Sequence, residues 1–306
     1  PLARILGQIR DEVEAGVSTS DAFAKYPEVF PPLMISMIRA GEAGGFLEGA
    51  LDSIAVNFEK EVRLRGKIKS ALTYPVIVLV MSLVSVVAML IFIVPVFQKM
   101  FTGLGGTLPL PTMMLVYASH AMVWVGPLML VFSIAFAIWW PKNKNTVRIR
   151  KRLDPIKLKL PVFGLLMRKI AVARFSRNFS DMIGAGVPIL KALQIVGETS
   201  GNWVVEEALK KVAESVRQGH SLSVPLAHQP VFPPMVTQMI AVGEDAGSLE
   251  VMLDKIADFY DQEVEAATEQ LTAMIEPLMV AFLGVVIGGM VVALYLPIFN
   301  ISKLIK

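Results

Sequence analysis

A chain of 306 residues has room for two modest domains. Its 54% hydrophobic and 18% charged content, with a mean hydropathy of +0.60, is too apolar for a water-soluble protein of this size. The net charge of +3 excludes nucleic acid as an obvious partner, and the absence of cysteine excludes disulfides, thiolate metal sites and a cysteine nucleophile.

In chain order, the opening PLARILGQIRDEVEAG carries acids and no long apolar core, so it does not read as a signal peptide. From Val29 the sequence VFPPLMISMIRAGEAGGFLEGALDSIA is met again from Val231 as VFPPMVTQMIAVGEDAGSLEVMLDKIA, a constant shift of 202 positions that holds as far as Pro95/Pro297 and Phe97/Phe299. Roughly a third of the aligned positions are identical, so both copies are expected to fold into the same unit. Before Val29 the likeness continues at a shift of 203, and it brings Pro1 opposite Val204. The stretch RFSRNFSDMIGAGVPILKALQIVGETSGN that precedes the second copy has no counterpart in the first. A chain opening in mid-helix leaves an apolar face without its packing partner, so a further N-terminal piece is expected in the natural protein.

Within each copy, Ser18/Ser20 and Ser221/Ser223 are suited to cap a short helix. Pro31-Pro32 and Pro233-Pro234 then begin another, since a first helical turn does not use the N–H that proline lacks. GEAGG (41–45) and GEDAG (243–247) end that helix, with Gly45 and Gly247 free to take the positive φ of a helix terminus. The next helix shows one stripe at Leu47, Leu51, Ile54, Ala55, Phe58 and Val62, repeated at Leu249, Leu253, Ile256, Ala257, Tyr260 and Val264. Spacings of three and four predict an amphipathic helix packed in a bundle, and no strand-like alternation of useful length appears anywhere. The expected fold is all-α: a first helical repeat (1–70) and a second (171–272), each running without a clear stop into a membrane span.

The spans are expected at 71–98, 112–140 and 273–300, each long enough for the roughly 20 residues that a spanning helix needs. Pro75 and Pro277 fall at equivalent membrane entries, where they kink a helix without ending it. The loop 99–111 has Lys99 as its only charge, and Trp139-Trp140 close the second span at an interface. The linker 141–170 is the most basic stretch of the chain, so by the positive-inside rule it is cytoplasmic. Both repeats then face the cytoplasm, and the loop 99–111 and the tail 301–306 face outward. The linker's alternation of charge with Ile149, Leu153, Ile156, Leu158 and Leu160 also suits a surface segment touching anionic lipid.

No phosphate-binding G-x-x-x-x-G-K-[ST], no HExxH and no GxSxG occurs. Neither a catalytic constellation nor a cofactor or metal site is expected. The candidate functional residues are Gly41, Glu42 and Gly45 with their equivalents Gly243, Glu244 and Gly247, and the membrane-entry residues Pro75, Glu276 and Pro277. Glu42 and Glu244 admit two readings, hydrogen bonding at a helix end or contact with a partner or cation. Glu276 abuts a span, where an ionisable group is a functional suspect, yet at an interface it also reaches water.

LKLPVFGLLMRKIAVARFSRNFSDMIGAGVPILKALQIV, the two VFPP…GE segments, IEPLMVAFLGVVIGGMVVALYLPIF and the LPLPT of 108–112 together resemble the type II secretion protein F and type IV pilus assembly protein C family. The resemblance implies a non-enzymatic platform in the bacterial inner membrane. Its helical bundles would dock on a hexameric cytoplasmic assembly ATPase. Its membrane part would work with pilins or pseudopilins and other inner-membrane assembly proteins, as a homo-oligomer and without nucleic acid. A small polytopic transporter or channel is the alternative, disfavoured because the spans carry almost no polar or ionisable residue to form a pathway.

Overall fold

The computed structural model describes residues 2–103, 108–144, 146–161 and 163–301, all in helices and short connections, with no strand among them. The expected tail and the middle of the 99–111 loop lie outside the described residues, at 302–306 and 104–107. The chain divides into two compact units, one made of residues 1–68 and 146–268, the other of 69–145 and 269–306.

The first unit holds both repeats. The first copy contributes α1 (Leu2–Glu14), α2 (Thr19–Ala24), α3 (Pro32–Gly44) and the start of α4 (Leu47–Ala88). After a π-helical turn (Met89–Ile93), α5 (Val94–Gly103) and α6 (Leu110–Asn143) belong to the second unit. The first unit resumes with α7 (Val147–Lys159), α8 (Phe163–Gly184) and α9 (Ile189–Thr199). The second copy follows as α10 (Trp203–Arg217), α11 (Ser223–Ala227), α12 (Pro234–Asp245) and α13 (Leu249–Ile301). α10 to α13 thus repeat α1 to α4, while α8 and α9 have no counterpart in the first copy. α8 is the most buried of these helices, with Val172, Phe175, Phe179 and Met182 inaccessible to solvent and Phe175 stacked near Phe179 and Phe232.

The two amphipathic stripes differ in burial. On α13 all six expected residues, Leu249 to Val264, are buried. On α4 Ile54 is buried as expected and Leu47 and Phe58 are half-buried, but Leu51, Ala55 and Val62 are exposed, Val62 at 68%, and Ala50 and Asn57 are buried beside Ile54. The packed face of α4 is therefore turned relative to the expectation. The covered face of α4 is the one that carries Asn57, which donates to Asp181 of α8.

α7, in the basic linker, is not only a surface segment. Its Asp154 is buried and accepts a hydrogen bond from the Trp203 N–H at 2.9 Å, supplying an acceptor at the N-terminus of α10. Arg150 and Glu206 lie 3.2 Å apart and add an ion pair between the same two helices.

Three helices, each lying wholly or in part in the second unit, are long and apolar enough to cross a membrane: Leu47–Gly103 (counting α4 through α5), Leu110–Asn143 and Leu249–Ile298. Pro75, Pro127 and Pro277 lie inside these helices without ending them. The helix preceding the loop runs on to Gly103 and α6 begins at Leu110, so the connection is shorter than the 99–111 read from its glycines and prolines. Leu90, Val94, Val116, Met290 and Leu294 form the buried core of this unit, where α5 and α13 meet α6. Most of the remaining apolar surface faces outward, as in Trp124 (83%) and Val285 (75%), which suits a protein whose solvent is lipid.

Candidate functional site

The five-residue signature of each repeat does three separate jobs. A β-carbon on Gly41 would stand 2.6 Å from the Ala50 Cβ and 3.1 Å from the Leu47 backbone, and one on Gly243 would stand 3.0 Å from the Met252 Cβ and 3.1 Å from the Leu249 backbone. The first glycine is thus a close-approach position, where α3 and α4, or α12 and α13, pack too tightly for a side chain. The last glycine reverses the chain: Gly45 and Gly247 have φ of 74° and 64°, a region costly for other residues. Phe46 and Ser248 donate their N–H groups back to Gly41 and Gly243, at 2.9 and 2.8 Å, closing the helix end.

Between the glycines, the glutamate reaches sideways. The Glu42 carboxylate accepts from the Thr19 N–H at 2.6 Å, the Ser20 N–H at 3.2 Å and the Ser20 hydroxyl at 2.9 Å. Glu244 accepts from the Leu222 and Ser223 N–H groups at 2.6 and 3.1 Å. Each glutamate therefore caps the short helix of its own repeat from a distance of more than twenty residues, and its anionic charge faces the positive end of that helix. Ser18 adds a cap of the expected kind by accepting from the Asp21 N–H, but α11 has no serine cap and relies on Glu244. Burial tends to raise the Glu42 pKa, yet the N–H and hydroxyl donors of Thr19 and Ser20 outweigh it and hold the carboxyl below its ordinary range.

A polar junction that the motifs did not announce joins α4, α8 and α13. Arg177 of α8 is nearly buried and is paired with three carboxylates of α13: Asp254, Asp258 at 2.6 Å and Asp261 at 3.0 Å. Asp258 also lies 3.7 Å from Lys60 of α4. Asp181, one turn along α8, accepts from the amide of Asn57 on α4, and Asn178 is 3.4 Å from the same amide. Burial is the main influence on Asp181 and raises its pKa to about 6, against the opposing pull of Asn57, Arg177 and Lys60. Seven residues beyond Lys60, Lys67 pairs with Glu265, itself seven beyond Asp258. Equal steps of two helical turns on both helices mean that α4 and α13 run parallel and in register here. The signal in the sequence was Asp254, Asp258 and Asp261 at helical spacing beside the buried stripe.

Pro75 is buried, while Glu276 and Pro277 are exposed. Among the described residues no group of three or more His, Asp or Glu is placed to hold a metal ion.

Two packed copies of one helical unit, each ending in a helix that runs on into an apolar span, are what the comparisons with known proteins bring to a family. The model for type II secretion system (T2SS), protein F matches residues 1–95 and 175–297. The chain belongs to this protein F family. The match ends at Pro95 and Pro297, and its second part begins at Phe175, inside α8. Among curated members, the chain is 45% identical over 300 residues to the type IV pilus assembly protein PilC of Thermus thermophilus, covering 97% of this chain and 73% of that protein. It is 42% identical over 305 residues to PilC of Myxococcus xanthus, covering 99% of this chain and 73% of that one. It is 31% identical over 309 residues to the type II secretion system protein F of Xanthomonas campestris, covering 99% and 75%. This protein F homologue is thus similar to members from both kinds of machine.

Proposed function

We propose that the chain is an inner-membrane platform protein of a type IV pilus or type II secretion machine, which passes the work of a cytoplasmic assembly ATPase to the assembly of pilin or pseudopilin filaments. The observation that carries this reading is the pair of long helices. α4 and α13 each continue unbroken from a repeat into an apolar span, over 42 and 53 residues, and ion pairs and the Arg177 junction tie them together. Such a pair is a stiff element, and a push on either repeat reaches both spans. Both repeats and the basic linker face the cytoplasm, and the exposed cations of that linker, Lys142, Lys144, Arg148 and Arg152, lie against anionic lipid headgroups. Glu42 and Glu244 serve the repeats from within, as caps, rather than as partner contacts. The protein acts as a homo-oligomer, and pilins and other inner-membrane assembly proteins meet its spans.

Rotational phase tests the lever. Each residue inserted after Arg65 turns everything beyond it by about 100°, whereas seven residues restore the phase to within about 20° and move the repeat by about 10 Å. One or two inserted alanines should abolish filament assembly while membrane insertion and ATPase binding persist, and a helix-forming insertion of about seven residues should retain part of it. Equal tolerance of all three would make the helix a tether and overturn the lever.

A further inference from the structure

The spans contain two sites where proline removes a backbone donor from a buried helix. In α13 the N–H of residue 297 would bond the carbonyl of Ala293, but residue 297 is proline. In the first copy the helix adopts the π register, with the Val94 N–H bonded to the Met89 carbonyl. The next donor in that register would be residue 95, also proline, so the Leu90 carbonyl lacks that backbone donor. Leu90, Val94, Ala293 and Leu294 are all buried, so water does not replace the missing donors. An unsatisfied carbonyl in such a place is costly.

Both carbonyls are satisfied from α6. The Thr112 hydroxyl donates to the Ala293 carbonyl at 2.5 Å, and the Ser119 hydroxyl donates to the Leu90 carbonyl at 2.6 Å. Thr112 and Ser119 are each 1% exposed and sit seven positions apart, on one face of α6. Other hydroxyls of this unit behave differently. Thr73, Ser82, Ser85, Thr102 and Ser133 donate to carbonyls of their own helix one turn back, the usual habit of serine and threonine in apolar helices.

We propose that α6, the span outside the repeat, is a hydroxyl clamp. Thr112 and Ser119 stand in for the N–H groups that Pro297 and Pro95 lack, and so pin the proline-bearing ends of both repeat spans to one helix. The prolines and the hydroxyls are then a single device: the prolines leave acceptors without their helical donor, and α6 supplies donors in matching positions. The pin stands on hydrogen bonding within this unit. Its role as the fixed end of the two long helices rests on the lever reading above.

Double-mutant cycles on the full chain in detergent, read by thermal unfolding, test the pin. Ser119→Ala and Thr112→Val should each lower the unfolding midpoint by about 2–5 °C, and the conservative Ser119→Thr and Thr112→Ser should keep it. Pro95→Ala restores a backbone donor, so Ser119→Ala should cost under about 1 °C in that background, and Thr112→Val likewise in Pro297→Ala. The crossed pairs, Ser119→Ala with Pro297→Ala and Thr112→Val with Pro95→Ala, should be additive. If Ser119→Ala fails to fold, recovery of folded protein by Pro95→Ala but not by Pro297→Ala is the same result. Additive behaviour in both matched pairs, or conservative variants as damaged as the deletions, overturns the clamp. Matched coupling with normal filament assembly in the hydroxyl-free variants supports the clamp and removes its role in the lever.

Discussion

Asp181 offers the sharpest test of the junction between the repeats. Its carboxyl titrates at about 6 against 3.8 for an unburied aspartate, chiefly because burial disfavours the charge. Between those values the folded chain holds a proton that the unfolded chain has released, so stability falls as pH rises through this window and levels off above about 6. A difference of about two units corresponds to about 3 kcal/mol at neutral pH. Asp181→Asn keeps an oxygen to accept from the Asn57 amide and removes the charge. The variant should therefore melt about 5–10 °C higher than the parent at pH 7.5, with the gap closing toward pH 4. The assay is tryptophan fluorescence of the detergent-solubilised chain on heating, over a pH series. Equal midpoints at pH 7.5, or a variant weaker at every pH, would refute the reasoning and show that the charged form is held by Arg177 and Lys60 more strongly than burial opposes it.

Two further outcomes are expected. Glu42→Gln and Glu244→Gln should each cost about 1 kcal/mol, measured by denaturant unfolding. Because the Glu42 pKa lies below its ordinary 4.5, its contribution should be complete above that value and lost as the pH falls through the lower, folded one. ATPase co-purification should fall only in step with that loss of stability, and a weakened complex at unchanged stability would return these residues to the list of partner contacts. For orientation, a cysteine at the exposed Arg152 should resist an impermeant reagent in intact cells, whereas one at the exposed Thr102 should react; labelling at Arg152 would invert the assignment.

Much of the fold was legible because it rests on local signals. The repeat, the proline-started α3 and α12, the glycine-ended turns and the three apolar runs all follow from residue type and short-range spacing. The stripe on α13 was legible for the same reason. The stripe on α4 was legible only in part: Ile54 is buried as expected, but which face of a helix is covered depends on a neighbour, and on α4 the Asn57 face meets α8. The basic linker hid a buried aspartate, because its composition says membrane surface while Asp154 answers to the helix end at Trp203, 49 residues away. The hydrogen bonds of Glu42 to Thr19 and of Glu244 to Leu222 were not legible, since their partners lie more than twenty residues away. The roles of Thr112 and Ser119 left no trace in spacing, since a hydroxyl in an apolar span looks the same whether it bonds its own helix or another.

The π turn at Met89–Ile93 has a bearing on ancestry. A gap-free alignment of the two copies records how the chain was duplicated, but one extra residue per turn means that past Met89 it ceases to record where each residue points. Leu90 is buried while its counterpart Val292 is 61% exposed. Leu294, at 2%, answers to Phe92, at 70%. The two halves have therefore become specialised in the very stretch where their letters still align. A hybrid that exchanged one terminal segment for the other would keep its hydrophobicity and its proline and still present the wrong surface to the span between them.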